Sequence, residues 1–352
     1  MKRILVSPLD WGLGHASRLV PIIRQLLADG HYILIAADNQ PLAFLQKEFP
    51  ELDTVRLPSY QVSYSKSGNL AVKLALQTPK IFYKIYEEHR ILKRICAERQ
   101  IDVVIADNRF GLYNRKVHTV FMTHQIAIQV PNDNPFLERL LFMLNKAFIR
   151  KFNEIWVPDF EGGQLTGKLT QKFKLPRPVN YIGPISRFYE LEATKSSSKP
   201  NDVLVLLSGP EPQRTILEDN LVAQLSGTKH NVLLVRGLPR DIGQREIIAP
   251  NIRTLNFLTT APLAEAIRNS KTIVCRSGYS TILDLVALKR SAILIPTPGQ
   301  TEQEYLGDYL MEKGWYYSQR QDKLDILNAL TASQNYQLPD TFKPLGRLPI
   351  AF

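Results

Sequence analysis

The sequence predicts an α/β protein in two halves, each a Rossmann-like parallel sheet with helices on both faces. Three observations carry that expectation. Short β-branched runs alternate with amphipathic stretches, the pattern that buries a parallel sheet between helix layers. The alternation breaks once, over residues 186–202, in a polar run holding Ser196-Ser197-Ser198 and Pro200, as linkers do. Each half also has a glycine turn between a strand and a helix. With 352 residues, 44% of them hydrophobic, the chain is long enough for two such cores.

In the first half the strands are read at residues 4–7, 33–37, 103–106, 119–122, 155–157 and 179–182. The helix after the first strand runs from about 16 to 27, with Leu19, Ile22, Ile23, Leu26 and Leu27 on one stripe and Asp29-Gly30 as its stop. The alternation restarts with strands at 203–207, 232–235, 272–275 and 292–296, separated by helices near 214–225, 262–269 and 280–288. The expected division is therefore an amino-terminal domain over 1–185, a linker over 186–202, a carboxy-terminal domain over 203–335 and an extended tail over 336–352, which holds three prolines and no periodicity.

Composition excludes several classes. The longest apolar runs are strand-sized, far below the ~20 residues that span a bilayer, so no transmembrane helix is expected. Residues 1–8 turn polar too soon for a secretory core and read as the first strand. Cys96 and Cys275 stand far apart, which is neither a disulfide framework nor a zinc spacing, and implies a reducing, cytoplasmic setting. A net charge of +11 asks for an anionic partner or surface, but Lys and Arg are dispersed and no nucleic-acid module is present, so nucleic acid is not expected. Two stretches, from Phe82 through Ile95 and from Phe136 through Lys151, combine apolar bulk with cations. They read either as core helices with basic outer faces or as a peripheral contact with anionic lipid on the inner face of the membrane.

The first motif is Asp10-Trp11-Gly12-Leu13-Gly14-His15-Ala16-Ser17-Arg18. Gly12 and Gly14 allow a tight turn and a close ligand approach, and the following helix start favours an anion. The third glycine of the dinucleotide fingerprint is replaced by Ser17, and Asp38 alone ends the second strand, which disfavours a nicotinamide or flavin enzyme. His15 lies where doubly wound sheets bind ligands and is either a general base or a ring that caps the helix. Arg18, one turn on, either holds an anionic group or reaches solvent.

The second motif, Cys275-Arg276-Ser277-Gly278-Tyr279-Ser280-Thr281, repeats the strand, turn and helix start with small hydroxyl side chains and one cation. That set suits a diphosphate, while Asp284, a turn further, has acceptors for two ribose hydroxyls. The other reading is an ordinary helix N-terminus with surface polar residues.

Together these motifs resemble glycosyltransferase family 28, whose members are GT-B enzymes. The resemblance is carried by the run from Gly12 to Arg18, by the stretch from Asn256-Phe257-Leu258 through Cys275-Arg276-Ser277-Gly278 to Pro296 and Gln303, and by Ile182-Gly183-Pro184-Ile185-Ser186-Arg187. It implies two Rossmann-like domains facing across a cleft, with the acceptor on the first domain and a nucleotide sugar, with UDP the nucleotide, on the second. Phe257 and the backbone of Leu258 would flank the uracil, and Asp284 would hold the ribose. Arg276, Ser277, Gly278, Ser280 and Thr281, in the run that includes Tyr279, would surround the diphosphate. Ser208-Gly209 would form the second glycine loop, Gln303 would lie near the donor sugar, and Arg187 would be a further donor contact. His15 would be the catalytic base, with Gly12, Gly14 and Arg18 in its loop.

Three departures qualify this. Pro210-Glu211-Pro212 follows the second loop, so two amide donors are lost and a carboxylate would repel phosphate. Thr123-His124-Gln125 stands where the family has His-Glu-Gln, which makes His124 structural, and glycine replaces an asparagine near Gly307. The reaction implied is inverting transfer without metal or cofactor to an acceptor hydroxyl, lipid-linked or anionic, since no Asp-x-Asp pair is present. A UDP-sugar 2-epimerase of the same fold is the runner-up, although its carboxylate candidates Asp107, Asp159 and Glu161 follow no defined spacing. A non-catalytic sugar-nucleotide-binding subunit is the third reading.

Overall fold

A computed structural model describes all residues except 11, 59–69, 132–133, 176, 190, 192–199, 239–244 and 343–346, with residues 70–79 and 245–246 described in backbone alone. Most of the expected linker lies outside the described residues. The chain divides into one unit of Met1–Ser186 with Leu345–Phe352, and a second of Arg187–Pro344.

The amino-terminal unit runs β1 (Arg3–Pro8), α1 (Leu13–Ala28), β2 (Tyr32–Ala37), α2 (Asn39–Glu48), β3 (Asp53–Arg56), α3 (Leu70–Arg99), β4 (Val103–Asp107), β5 (His118–Met122), α4 (Pro135–Ile149), β6 (Glu154–Val157), α5 (Lys168–Gln171) and β7 (Val179–Tyr181). Its seven strands lie in the order β3-β2-β1-β4-β5-β6-β7, every neighbour parallel. The central strands have apolar middles because both sheet faces are covered: Leu5, Leu34, Val104 and Phe121 are fully buried in one cluster with Leu92 of α3 and Ile149 of α4. β3, Asp-Thr-Val-Arg, is a short edge strand with little burial, so its sequence lacks the apolar signal of its neighbours. Of the expected tail, residues 347–352 pack here: Leu348 and Ile350 are buried, and Gln25 bonds both the amide and the carbonyl of Leu348.

The carboxy-terminal unit runs β8 (Asn201–Leu206), α6 (Gln213–Leu225), β9 (Val232–Val235), β10 (Arg245–Ala249), β11 (Ile252–Leu255), α7 (Thr260–Arg268), β12 (Ser270–Cys275), α8 (Tyr279–Ala287), β13 (Ile293–Leu294), α9 (Thr301–Glu312), β14 (Tyr317–Ser318) and α10 (Ile326–Ala332). The sheet order is β10-β11-β9-β8-β12-β13-β14, parallel except for the β10–β11 hairpin. Both sheets therefore reverse direction of travel at one point, between β1 and β4 and between β8 and β12. Loops leaving the carboxyl ends of such strand pairs open a crevice in which open α/β sheets bind ligands. Each glycine motif of the sequence follows one strand of such a pair.

Candidate functional site

Strand order explains the amino-terminal half of the site. β1 and β4 pair in parallel with Pro8 opposite Asp107, so the loop after β1 and the last residue of β4 emerge side by side. Gly12 turns that loop with φ 83°, a left-handed value that glycine adopts without strain, and caps α1 without a side-chain acceptor. His15 then falls in the first turn of α1. Its Nδ1 lies 3.1 Å from Oδ2 of Asp107, whose side chain is wholly buried, while the imidazole keeps 13% of its surface exposed. A partly exposed imidazole backed by a buried carboxylate is the arrangement that orients a general base.

Arg18 is not on the surface. Its side chain is 2% exposed and pairs with Asp107, Nε donating to Oδ2 at 2.7 Å and Nη2 to Oδ1. Nη2 also lies 2.8 Å from Nδ1 of His15, and Nη1 lies 3.1 Å from Nδ1 of His124. Of the two readings of Arg18, the solvent-reaching cation fails: helix periodicity turns it onto the carboxyl end of the sheet, where the anionic group it holds is the chain's own Asp107. Burial pushes the Asp107 carboxyl up, but Arg18 and His15 beside it outweigh burial and hold it down to about 2. The His15 imidazole is held below its ordinary value first by burial and then by Arg18, with Asp107 pulling the other way.

The neighbouring carboxylates have other tasks. Asp38 caps α2 through the Asn39 amide and accepts from Nε of Arg56 at 2.7 Å, so the ribose-holding position of a dinucleotide enzyme is occupied from within. Asp159 accepts from the amides of Phe160, Leu165 and Thr166 and from the Thr166 hydroxyl, which organises its own loop. Burial pushes its carboxyl up to about 6 against those bonds. Glu161 is exposed.

In the carboxy-terminal unit, the loops after β8 and β12 are neighbours for the same reason, since those strands pair in parallel. Gly278 caps α8 with no side-chain acceptor, and the amides of Tyr279, Ser280 and Thr281 open the helix, where they have no intrahelical acceptor. Ser280, Thr281 and Asp284 are half-buried, and the Tyr279 side chain is buried in the core. Phe257 and Leu258, half-buried, follow β11. Nη1 of Arg187 lies 3.4 Å from Oγ1 of Thr260, which brings it to the same loop.

Two residues expected at the diphosphate are turned inward. Arg276 is wholly buried, donating to the carbonyls of Ile295, Pro296 and Gln213 at 3.2, 3.3 and 2.7 Å, and burial pulls its guanidinium down to about 10. It ties together the ends of β12, β13 and the start of α6 rather than offering a charge to a ligand. Ser277, also buried, donates its hydroxyl to the Gln303 carbonyl at 2.7 Å, and the Gln303 side chain accepts from the Thr297 amide at 2.9 Å. Ser208 and Gly209 are exposed after β8. The carboxylate of Glu211 accepts from Nε of Arg214 at 2.6 Å and from the hydroxyl and amide of Thr215 at 2.8 and 3.3 Å, so the start of α6 already carries an anion of its own. Gly307 also has a packing reason: a Cβ there would stand 2.6 Å from Oγ of Ser318 and 2.9 Å from Cγ of Pro296.

Asp107 is the residue that sequence reasoning undervalued. Its signal is an apolar strand, Val103-Val104-Ile105-Ala106, ended by a carboxylate; that this strand lies next to β1 follows from sheet order alone. Among the described residues, no group of three or more His, Cys, Asp or Glu stands close enough to hold a metal ion.

Comparison with known proteins agrees with this architecture. Residues 214–336 match the glycosyltransferase family 28 C-terminal domain. An uncharacterized glycosyltransferase of Methanosarcina mazei is 23% identical over 364 aligned positions, covering 98% of this chain and 94% of its own. Among solved structures, the glycotransferase of kitacinnamycin superposes with a TM-score of 0.65 at 13% identity, covering 94% of this chain and 89% of its own. MurG of Acinetobacter baumannii does so with 0.58 at 14% identity, covering 94% and 90%. The glycosyltransferase VinC, solved in complex with dTDP, gives 0.58 at 13% identity, covering 95% and 92%. These likenesses establish the GT-B fold.

Proposed function

Taking as premise a GT-B glycosyltransferase whose carboxy-terminal unit carries a family 28 domain, we propose that it transfers a sugar from a nucleotide sugar, with UDP the nucleotide, to an acceptor hydroxyl with inversion and without a metal ion. The observation that carries this reading is His15, partly exposed at the β1–β4 crevice and backed by Asp107.

The acceptor hydroxyl attacks the anomeric carbon while its proton passes to the imidazole of His15. The bond from that carbon to the diphosphate oxygen breaks, and one displacement inverts the centre. Negative charge then grows on the departing diphosphate, where the opening amides of α8 and the hydroxyls of Ser280 and Thr281 lower the barrier. Asp284 accepts from the ribose, and Phe257 with the Leu258 backbone flanks the base. The likeness to a fold solved with dTDP supports a nucleotide donor. Asp159 speaks against the epimerase alternative, because its oxygens are already engaged by its own loop.

The acceptor reading rests on α4. Phe136, Leu140, Met143 and Leu144 form a stripe along that helix, and all four are exposed, at 78, 44, 60 and 42%. Phe142, Asn145 and Ile149 occupy the buried side. Phe82, Tyr83 and Tyr86 of α3 are exposed too, and Phe82 meets Phe148 with ring centroids 5.6 Å apart. Arg139, Arg150 and Lys151 add positive charge, a mixture suited to an anionic bilayer carrying a lipid-linked acceptor. No helix among the described residues is long and apolar enough to cross a membrane.

The deciding experiment is His15→Ala. Turnover, read as UDP release from a panel of UDP sugars, falls roughly 10²- to 10⁴-fold, while UDP affinity by calorimetry is unchanged; a variant with near wild-type turnover removes His15 from the chemistry. A thermal-shift panel of nucleotides names the base first. Sedimentation with vesicles rich in phosphatidylglycerol against neutral vesicles tests the α4 surface, and equal binding to both ends the membrane proposal.

A further inference from the structure

We propose that Arg18 is a positioning residue that competes with His15 for the Asp107 carboxylate and so keeps the imidazole uncharged; this rests on the reading of His15 as the base.

The geometry contains a contest. Nδ1 of His15 lies 3.1 Å from an Asp107 oxygen and 2.8 Å from Nη2 of Arg18. A carboxylate can only accept and a guanidinium can only donate. If Nδ1 carries a proton, the contact with Asp107 is attractive and that with Arg18 repulsive; if it is bare, the two exchange signs. Arg18 meanwhile engages both oxygens of Asp107, through Nε and Nη2, in a pair that is almost wholly buried. Protonating the ring would place a second cation against a guanidinium that already neutralises the one available carboxylate. A carboxylate beside an imidazole would by itself raise the ring's proton affinity; burial and the guanidinium together oppose that effect.

Among the described residues, the charged and titratable groups facing the ring are Arg18 from α1, Asp107 from the end of β4 and His124 from the segment after β5. Burial, Arg18 and His124 act to keep the ring neutral, and Asp107 opposes them. A purely structural Arg18 would hold the fold together without moving the ring's titration midpoint.

The sign follows directly. Removing the cation takes away one of the influences that oppose Asp107, so the His15 midpoint rises and a smaller fraction of the ring is neutral at a given acidic pH. The acid limb of kcat/KM then moves to higher pH.

The test is an NMR pH titration of the histidine ring signals in the full chain, with His15 assigned by its disappearance in His15→Gln, on wild type, Arg18→Gln and Arg18→Lys. A like charge at this range disfavours the charged form, and charges this close shift a pKa by about 1–3 units, so Arg18→Gln is expected to raise the His15 midpoint by about one unit or more. Arg18→Lys keeps a cation without the fork and is expected to raise it by less. If Arg18→Gln does not fold, Arg18→Lys carries the test by the same reading. An unmoved midpoint in the folded variants overturns the proposal whatever the activity does. A midpoint that moves together with the acid limb of UDP release supports it. If the midpoint moves while the acid limb stays, Arg18 controls the ring but His15 is not the base.

Discussion

Replacing Asp107 by asparagine separates the structural from the chemical role of the buried cluster. The side chain keeps its size but loses the charge that holds Arg18 and orients His15. Arg18 is 2% exposed, so the variant leaves a guanidinium buried without its carboxylate, at a cost of roughly 3–5 kcal/mol. The pH dependence gives an independent handle. The carboxyl of Asp107 is depressed from 3.8 to about 2 in the folded chain, a linkage worth about 2 kcal/mol. Because the folded value is the lower one, that stability is present above about pH 4 and is lost as pH falls through about 2. Wild type and Asp107→Asn should therefore differ most at neutral pH and converge by about 2 kcal/mol between pH 4 and pH 2. Urea denaturation followed by circular dichroism measures the gap at each pH, and UDP release at pH 7 measures the chemistry, expected to fall roughly 10²-fold or more. A constant gap across that pH range, or turnover within a factor of two of wild type, refutes the reasoning.

Other expectations concern the carboxy-terminal unit. Asp284→Ala should weaken UDP about tenfold, or about 1.4 kcal/mol, while leaving inorganic diphosphate unaffected; calorimetry with both ligands compares them, and an equal loss for both would count against a ribose contact. Glu211→Gln removes the anion that occupies the start of α6, so diphosphate affinity should rise about two- to fivefold from the release of roughly 0.3–1 kcal/mol of repulsion. Gly307→Ala pushes a methyl group to 2.6 Å from Ser318 Oγ, and the melting temperature should drop by an amount equivalent to about 1–3 kcal/mol. An unchanged melt would mean that α9 can move away from β14.

Local chemistry determined a good deal. Alternation of apolar runs with helical stripes marks the central strands, because both faces of a parallel sheet are covered and the middle of such a strand is a continuous apolar run. The glycine turns at Gly12 and Gly278 mark where loops leave β1 and β12; at Gly12 the φ of 83° is a left-handed value that favours glycine. The edge strands β3, β10 and β14 were not legible, because a short or half-exposed strand need not be apolar. Sheet order decided the rest. Asp107 stands 92 residues from His15, and only the adjacency of β1 and β4 makes them partners. Whether Arg18 and Arg276 meet a ligand or the protein's own groups was likewise settled by what packs around them, for a guanidinium reads the same in sequence whether it ends in water, on a carboxylate or on three backbone carbonyls.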